Sequence, residues 1–152
     1  MWQDLKNKLV AMLTADSLLE NVYDYEVGDF SGDPVAVLIP SANESDYRTT
    51  AANRRVYAFK LQLLVKRAEP RTDKQAEDAL TEVVDSVLDT FDKNYTLGTG
   101  SPGSALVLPT GYTMIRVQAL PATWGYVERQ DTYRIAEIII KIEMDVNVTL
   151  IS

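Results

Sequence analysis

The stretch Thr132-Tyr-Arg-Ile-Ala-Glu-Ile-Ile-Ile-Lys-Ile-Glu-Met-Asp-Val-Asn-Val-Thr-Leu150 decides how this chain folds. Ala136, Ile138, Ile140, Ile142, Met144, Val146, Val148 and Leu150 share one parity, while Glu137, Lys141, Glu143, Asp145, Asn147 and Thr149 mostly fill the other. Successive β side chains point to opposite sides, so alternation at period two sends the apolar set to one sheet face and the charged set to the other. The stretch is therefore a strand, and a long one, since strands in globular domains run to about 5–6 residues. A strand of that length must bend, carry a bulge, or project beyond its own domain and pair with something else. In a small acidic chain, projection points to a subunit built to assemble.

Composition fits one soluble globular domain spanning residues 1–152, with 46% hydrophobic and 24% charged residues. No apolar run approaches the ~20 residues that cross a bilayer, so no membrane partner is expected. The N-terminus mixes Asp4, Lys6 and Lys8 with hydrophobic residues and lacks the core of a signal peptide, which predicts a protein made in the cytoplasm. The absence of cysteine agrees with that compartment.

The missing residue types close most catalytic classes. Without His or Cys there is no imidazole or thiolate metal site, no Ser-His-Asp triad and no Cys nucleophile. Carboxylate-only magnesium or glycosidase chemistry stays open, because 22 acidic residues could supply a pair, but their spacing singles none out. A net charge of −7 disfavours non-specific binding to nucleic acid or anionic membrane.

Outward from the last strand, the order of elements follows from periodicity. Trp2, Leu5, Leu9, Met12 and Leu13 recur at helical spacing and predict an amphipathic helix from about 2 to 19. Strands are predicted at about 22–27 and 35–39, separated by a Gly/Asp/Ser/Pro turn and stopped by Pro40. From 41 to 54 the chain is polar without a repeating apolar period, which reads as a long surface loop, either a hairpin tip or a docking loop. Tyr47, Arg48, Arg54 and Arg55 are its candidate contact residues, the arginines suited to carboxylates on a neighbouring subunit. Alternation returns with Tyr57, Phe59, Leu61, Leu63 and Val65, a second strand.

A turn at Glu69-Pro70-Arg71 precedes Thr72, which with Gln75 matches a capping box. Leu80, Val83, Val84, Val87, Leu88, Phe91 and Tyr95 then keep the helical period, and the acidic residues opposite them read as a solvated surface. The glycine-rich 97–103 follows a helix and lacks a lysine, so it reads as a turn and not a phosphate loop. Strands are predicted at 105–108 and 112–120, with 121–131 as the connection into the last strand. That connection holds Trp124 and Tyr126, which suit either core packing or an interface anchor, and Arg129 and Arg134 could serve either purpose.

The assembled order is α-β-β-β-α-β-β-β, an α+β fold with a mostly antiparallel sheet and two amphipathic helices packed on one face. If 112–120 pairs with 132–150, the last strand outlasts its neighbour and leaves an unpaired edge, a template for β-augmentation.

This layout resembles the tail terminator (tail completion) proteins of long-tailed bacteriophages. The likeness covers most of the chain: the N-terminal helix, the pair around Val35-Ala-Val-Leu-Ile-Pro40, the strand ending Leu63-Leu-Val-Lys-Arg67, the helix from 73 to 95, and Asp131-Thr-Tyr-Arg-Ile-Ala-Glu137 leading into the long strand. The resemblance implies a virion structural protein without cofactor or enzymatic activity. It would form a ring, commonly a hexamer, that caps the tail tube protein at the head-proximal end of the tail and offers a surface to the head-tail connector. DNA would pass through without specific binding. A head-to-tail connector or stopper subunit is the alternative on the same build, and a small carboxylate-dependent magnesium enzyme is the alternative from another class.

Overall fold

Residues 1–47, 49, 51–67, 71–98, 100–128 and 132–150 are described by the computed structural model. The elements are α1 (Trp2–Thr14), β1 (Asn21–Tyr23), β2 (Val35–Tyr47), β3 (Ala52–Lys66), α2 (Asp73–Lys93), β4 (Tyr112–Glu128) and β5 (Thr132–Asn147). The strands form one five-stranded sheet in the order β1-β2-β3-β5-β4, antiparallel except where β1 runs parallel to β2. The fold is therefore α+β.

Both helices lay their apolar stripes on one sheet face, here the helix face. Leu5, Leu9, Met12 and Leu13 of α1 and Leu80, Val83, Val84, Val87 and Phe91 of α2 join one core with Ala36, Leu38, Tyr57, Phe59, Leu61, Leu63 and Val65, and with Ala136, Ile138, Ile140, Ile142 and Met144 of β5. Each of the Val, Leu, Ile, Met and Phe side chains removed from water stabilises the fold by about 1.5–3 kcal/mol. Trp2 closes the upper part of this core, edge-on to Tyr57 and Phe59 at 5.0 Å. α2 starts at the expected capping box, with the Gln75 amide bonding the Thr72 hydroxyl and the Thr72 amide bonding the Gln75 side chain.

The opposite, open face is covered at its lower end, where Tyr23, Val27 and Phe30 pack on Val35, Val37, Leu64, Tyr133 and Ile135. Phe30 meets Tyr133 edge-on at 5.2 Å.

Five expectations are corrected. α1 ends at Thr14, because Asp16 turns the chain by accepting the Leu18 amide. The first strand is the short β1, ending at Tyr23. The supposed loop 41–54 is the far half of a hairpin: β2 runs to Tyr47 and β3 begins at Ala52. Residues 40–47 are exposed throughout, so both sides of that strand meet solvent and no apolar period marks it. No strand forms at 105–108; Leu106 and Leu108 instead pack on the core, and the Leu106 amide bonds the Leu97 carbonyl.

The fifth correction changes the assembly argument. β4 continues through 121–128, past an irregularity between Pro121 and Trp124. β5 is therefore flanked along nearly its whole length, by β3 from Thr132's neighbour Tyr133 to Asn147 and by β4 from Thr132 to Val146. This long apolar strand lies inside the sheet, one strand from its edge, and projects from nothing. The turn at Glu69 and Pro70 lies outside the described residues.

Candidate functional site

The candidate contact residues fall at the two ends of the sheet, roughly 35 Å apart at about 3.4 Å per strand residue. Arg48 and Arg129 lie outside the described residues. Tyr47, Arg54 and Arg55 gather at the upper end, and Trp124, Tyr126 and Arg134 at the lower.

At the upper end, β2 and β3 pair from Ala42 opposite Ala58 to Tyr47 opposite Asn53, beyond an irregularity after Pro40. Tyr47 is 64% exposed. Arg55 lies on the helix face, donates to the Tyr112 hydroxyl at 3.2 Å and stacks over its ring at 5.8 Å. Arg54 lies on the open face 3.9 Å from Glu143, which also accepts from Arg116 at 3.2 Å. Both arginines thus have partners within their own chain.

At the lower end, Trp124 and Tyr126 are 45% and 58% exposed, so core packing does not account for them. The two arginines around Tyr126 hold it from within the molecule. Arg134, directly opposite on β5, stacks at 4.6 Å, and Arg67 stacks at 5.1 Å. Each guanidinium is anchored to the start of α2. Arg134 Nε donates to Glu77 at 2.7 Å while its Nη1 donates to the Gly125 carbonyl at 2.7 Å. Arg67 makes a two-pronged bond to Asp73, at 2.6 and 2.9 Å. These bonds raise both guanidinium pKa values and hold the Asp73 carboxyl below the usual carboxylate range.

Sequence reasoning missed Arg67, Asp73, Glu77 and Tyr112. A signal for Glu77 was present: Arg134 has the parity of the buried set of β5, and a cation on the core side must find an acid on the helix layer.

The net negative charge is concentrated on α2, which carries seven of the 22 acidic residues and two basic ones, −5 of the net −7. Asp78, Glu82, Asp85, Asp89 and Asp92 are exposed along it. Among the described residues no three Asp or Glu side chains converge to hold a cation. A groove of about 340 Å³ opens between α1 and residues 104–107. Its only buried polar group, Lys8, donates to the carbonyls of Pro102 and Ser104 at 2.7 and 2.9 Å, and burial lowers its pKa. The lysine is a clasp holding the glycine-rich segment to α1. Among the described residues no helix is long and apolar enough to cross a membrane.

No protein-family model and no curated protein matches the chain. A solved structure, a chain from the virion of a native gene transfer agent (GTA) particle, superposes with a TM-score of 0.58 at 20% identity, over 93% of this chain and 94% of that one. At that identity the likeness is one of fold, and it extends over nearly the full length of both chains.

Proposed function

We propose that this protein is a structural component of a phage-like virion, a tail terminator that forms a ring, commonly a hexamer, at the head-proximal end of the tail tube. The observation that carries the reading is the fold shared, nearly end to end, with a chain of a gene transfer agent virion. Two further features support it. The candidate contact residues fall at both ends of the sheet, an arrangement that suits a subunit placed between a tube and a head-side connector. The exposed aromatic and arginine side chains at the lower end are of the kinds enriched in binding hot spots.

DNA would traverse the ring without being held. The carboxylates able to repel it are those along α2; the open face sets Arg54, Lys60, Lys66, Arg116 and Lys141 among Glu44, Asp46, Glu137, Glu143 and Asp145 and has no such excess. Neutralising Glu82, Asp85 and Asp89 together should slow DNA passage if α2 lines the channel, and unchanged packaging and ejection would exclude that role.

Light scattering across a range of concentrations, with negative-stain images of the protein mixed with tail tubes, tests the main reading. Rings capping tube ends are expected. Particles that bind the head-side connector and ignore tubes would move the assignment to a connector or stopper subunit.

A further inference from the structure

Each edge of the sheet has a neighbouring segment along one part and, among the described residues, no outer strand along another; in that second part of β4 the Gly125 carbonyl accepts from the Arg134 side chain. On β2, residues 35–37 pair with β1, and among the described residues no strand lies beside 38–47. On β4 the neighbouring segment is at the opposite end: the Val117 amide donates to the Tyr95 carbonyl at 2.7 Å, so the chain after α2 lies against the upper edge. Below it, the only strand beside 122–128 is β5, among the described residues.

The two segments without an outer strand are built alike. Each follows a proline, Pro40 or Pro121, and each proline is followed by a register irregularity. Proline has no amide hydrogen and sits in strands where that group would face away from the ladder. Beyond these roots, 41–47 and 122–128 are of equal length. Because β2, β3, β5 and β4 alternate in direction, β2 and β4 run oppositely. A second copy rotated without inversion therefore presents its β2 antiparallel to β4 of the first.

Laid end to end in that direction, the segments place Ala42 opposite Val127, Asn43 opposite Tyr126, Glu44 opposite Gly125 and Ser45 opposite Trp124. Within each chain Asn43 and Ser45 align with Tyr57 and Arg55 on the helix face, and Tyr126 and Trp124 align with Arg134 and Ala136 on that same face. Ala42, Glu44, Gly125 and Val127 take the open face. Every row thus joins like face to like face, which a slip of one residue would reverse. The exposed aromatics Tyr47, Trp124 and Tyr126 all fall on the helix face of these segments, where Tyr47 becomes the diagonal cross-strand neighbour of Trp124.

We propose that copies of this chain join head to tail by pairing 41–47 of one with 122–128 of the next, extending the sheet across the subunit boundary. The inference rests on the ring reading above and names the contact that builds the ring. The contact is heterologous, so it closes into a ring when the rotation permits and otherwise grows into a filament. Since the segments lie at opposite ends of the sheet, neighbours are displaced along the strands by roughly 30 Å, and the strands run oblique to the ring axis.

The chain has no cysteine, which makes the test direct. Ala42→Cys and Val127→Cys variants are prepared separately, then oxidised mildly alone and mixed, at the highest concentration that stays soluble, with light scattering on each sample. Glu44→Cys with Gly125→Cys gives a second pair, and a Cβ at Gly125 meets only Ile135 at 3.8 Å. A disulfide-linked dimer in the mixtures and none in the separate samples is expected. Multimers without links in either mixture would overturn the edge contact and leave the ring reading standing. Links of equal yield in the separate samples would overturn it too. Monomers throughout, unlinked, would overturn the edge contact, while the ring reading is tested by the mixtures with tail tubes.

Discussion

The β2–β3 hairpin and the β4–β5 pair leave the body of the sheet at opposite ends, each by a proline and an irregularity in its outer strand, yet they are finished differently. The outer strand of the upper arm is polar and exposed from 40 to 47, and it is tied to β3 by the ladder and by side-chain bonds from Asn43 to the Val56 carbonyl and from Ser45 to Asn53. The lower arm carries Trp124 and Tyr126 and is fastened to α2 by Arg67 and Arg134. Charge and aromatic stacking thus fasten the inner strand of the upper arm, through Arg54 and Arg55, but in the lower arm they reach the outer strand itself, at Tyr126. A subunit that must first fold and then find partners gains from this division, because an outer strand held mainly by its ladder can adjust while a fixed one serves as the receiving surface.

The frame that both arms share should break most completely. Ile140 is fully buried at the middle of β5, between β3 and β4. Ile140→Asp places an unpaired charge in the core and should cost about 4 kcal/mol or more, melting both arms together in a thermal scan. Val84→Asp on α2, also buried, should behave alike. Arms that melted separately in either variant would mean that the sheet is not one cooperative unit.

Arg134→Ala is the next largest expected effect and separates the arms. It removes the bonds to Glu77 and Gly125 and the stack on Tyr126. Arg134 is mostly buried but Glu77 is not, so about 1–2 kcal/mol is expected, less than for a fully buried pair. Amide exchange should rise around Trp124 and Tyr126 while 42–47 stays unchanged. Glu44→Ala with Asp46→Ala should change stability by no more than about 0.5 kcal/mol, since both side chains are exposed.

The same contrast explains what the sequence could disclose. β3, β5 and α2 were legible because their two sides face different media, core on one and solvent or open sheet on the other, and periodicity records that difference. The upper arm meets solvent on both sides, so 41–54 carries no period and reads as a loop although its backbone is a strand. In the lower arm Pro121 and Gly125 look like punctuation, and only the register with β5 makes 121–128 a continuation of β4. Trp124, Tyr126 and Arg134 were chosen from residue type and do converge. Tyr47, Arg54 and Arg55 belong to the other end, which nothing in linear order could reveal, because the hairpin length sets where they emerge.

The smallest expected effect tests whether charge, and not shape alone, fastens the lower arm. Arg67 holds Asp73 ionised below the usual carboxylate range, and both groups are solvent-accessible. A carboxyl whose pKa is lower folded than unfolded contributes stability above its unfolded pKa and loses it as pH falls through the folded one. The contribution of this pair is therefore present at neutral pH and fades below about pH 4, the unperturbed range for Asp. Asp73→Asn should lower the Tm slightly at pH 7, and the gap to the parent should close in acid and also shrink in high salt, which screens exposed charges. A gap that persisted at low pH would assign Asp73 a role in packing or in the first turn of α2, and would leave Arg134 as the sole charged fastener of the arm.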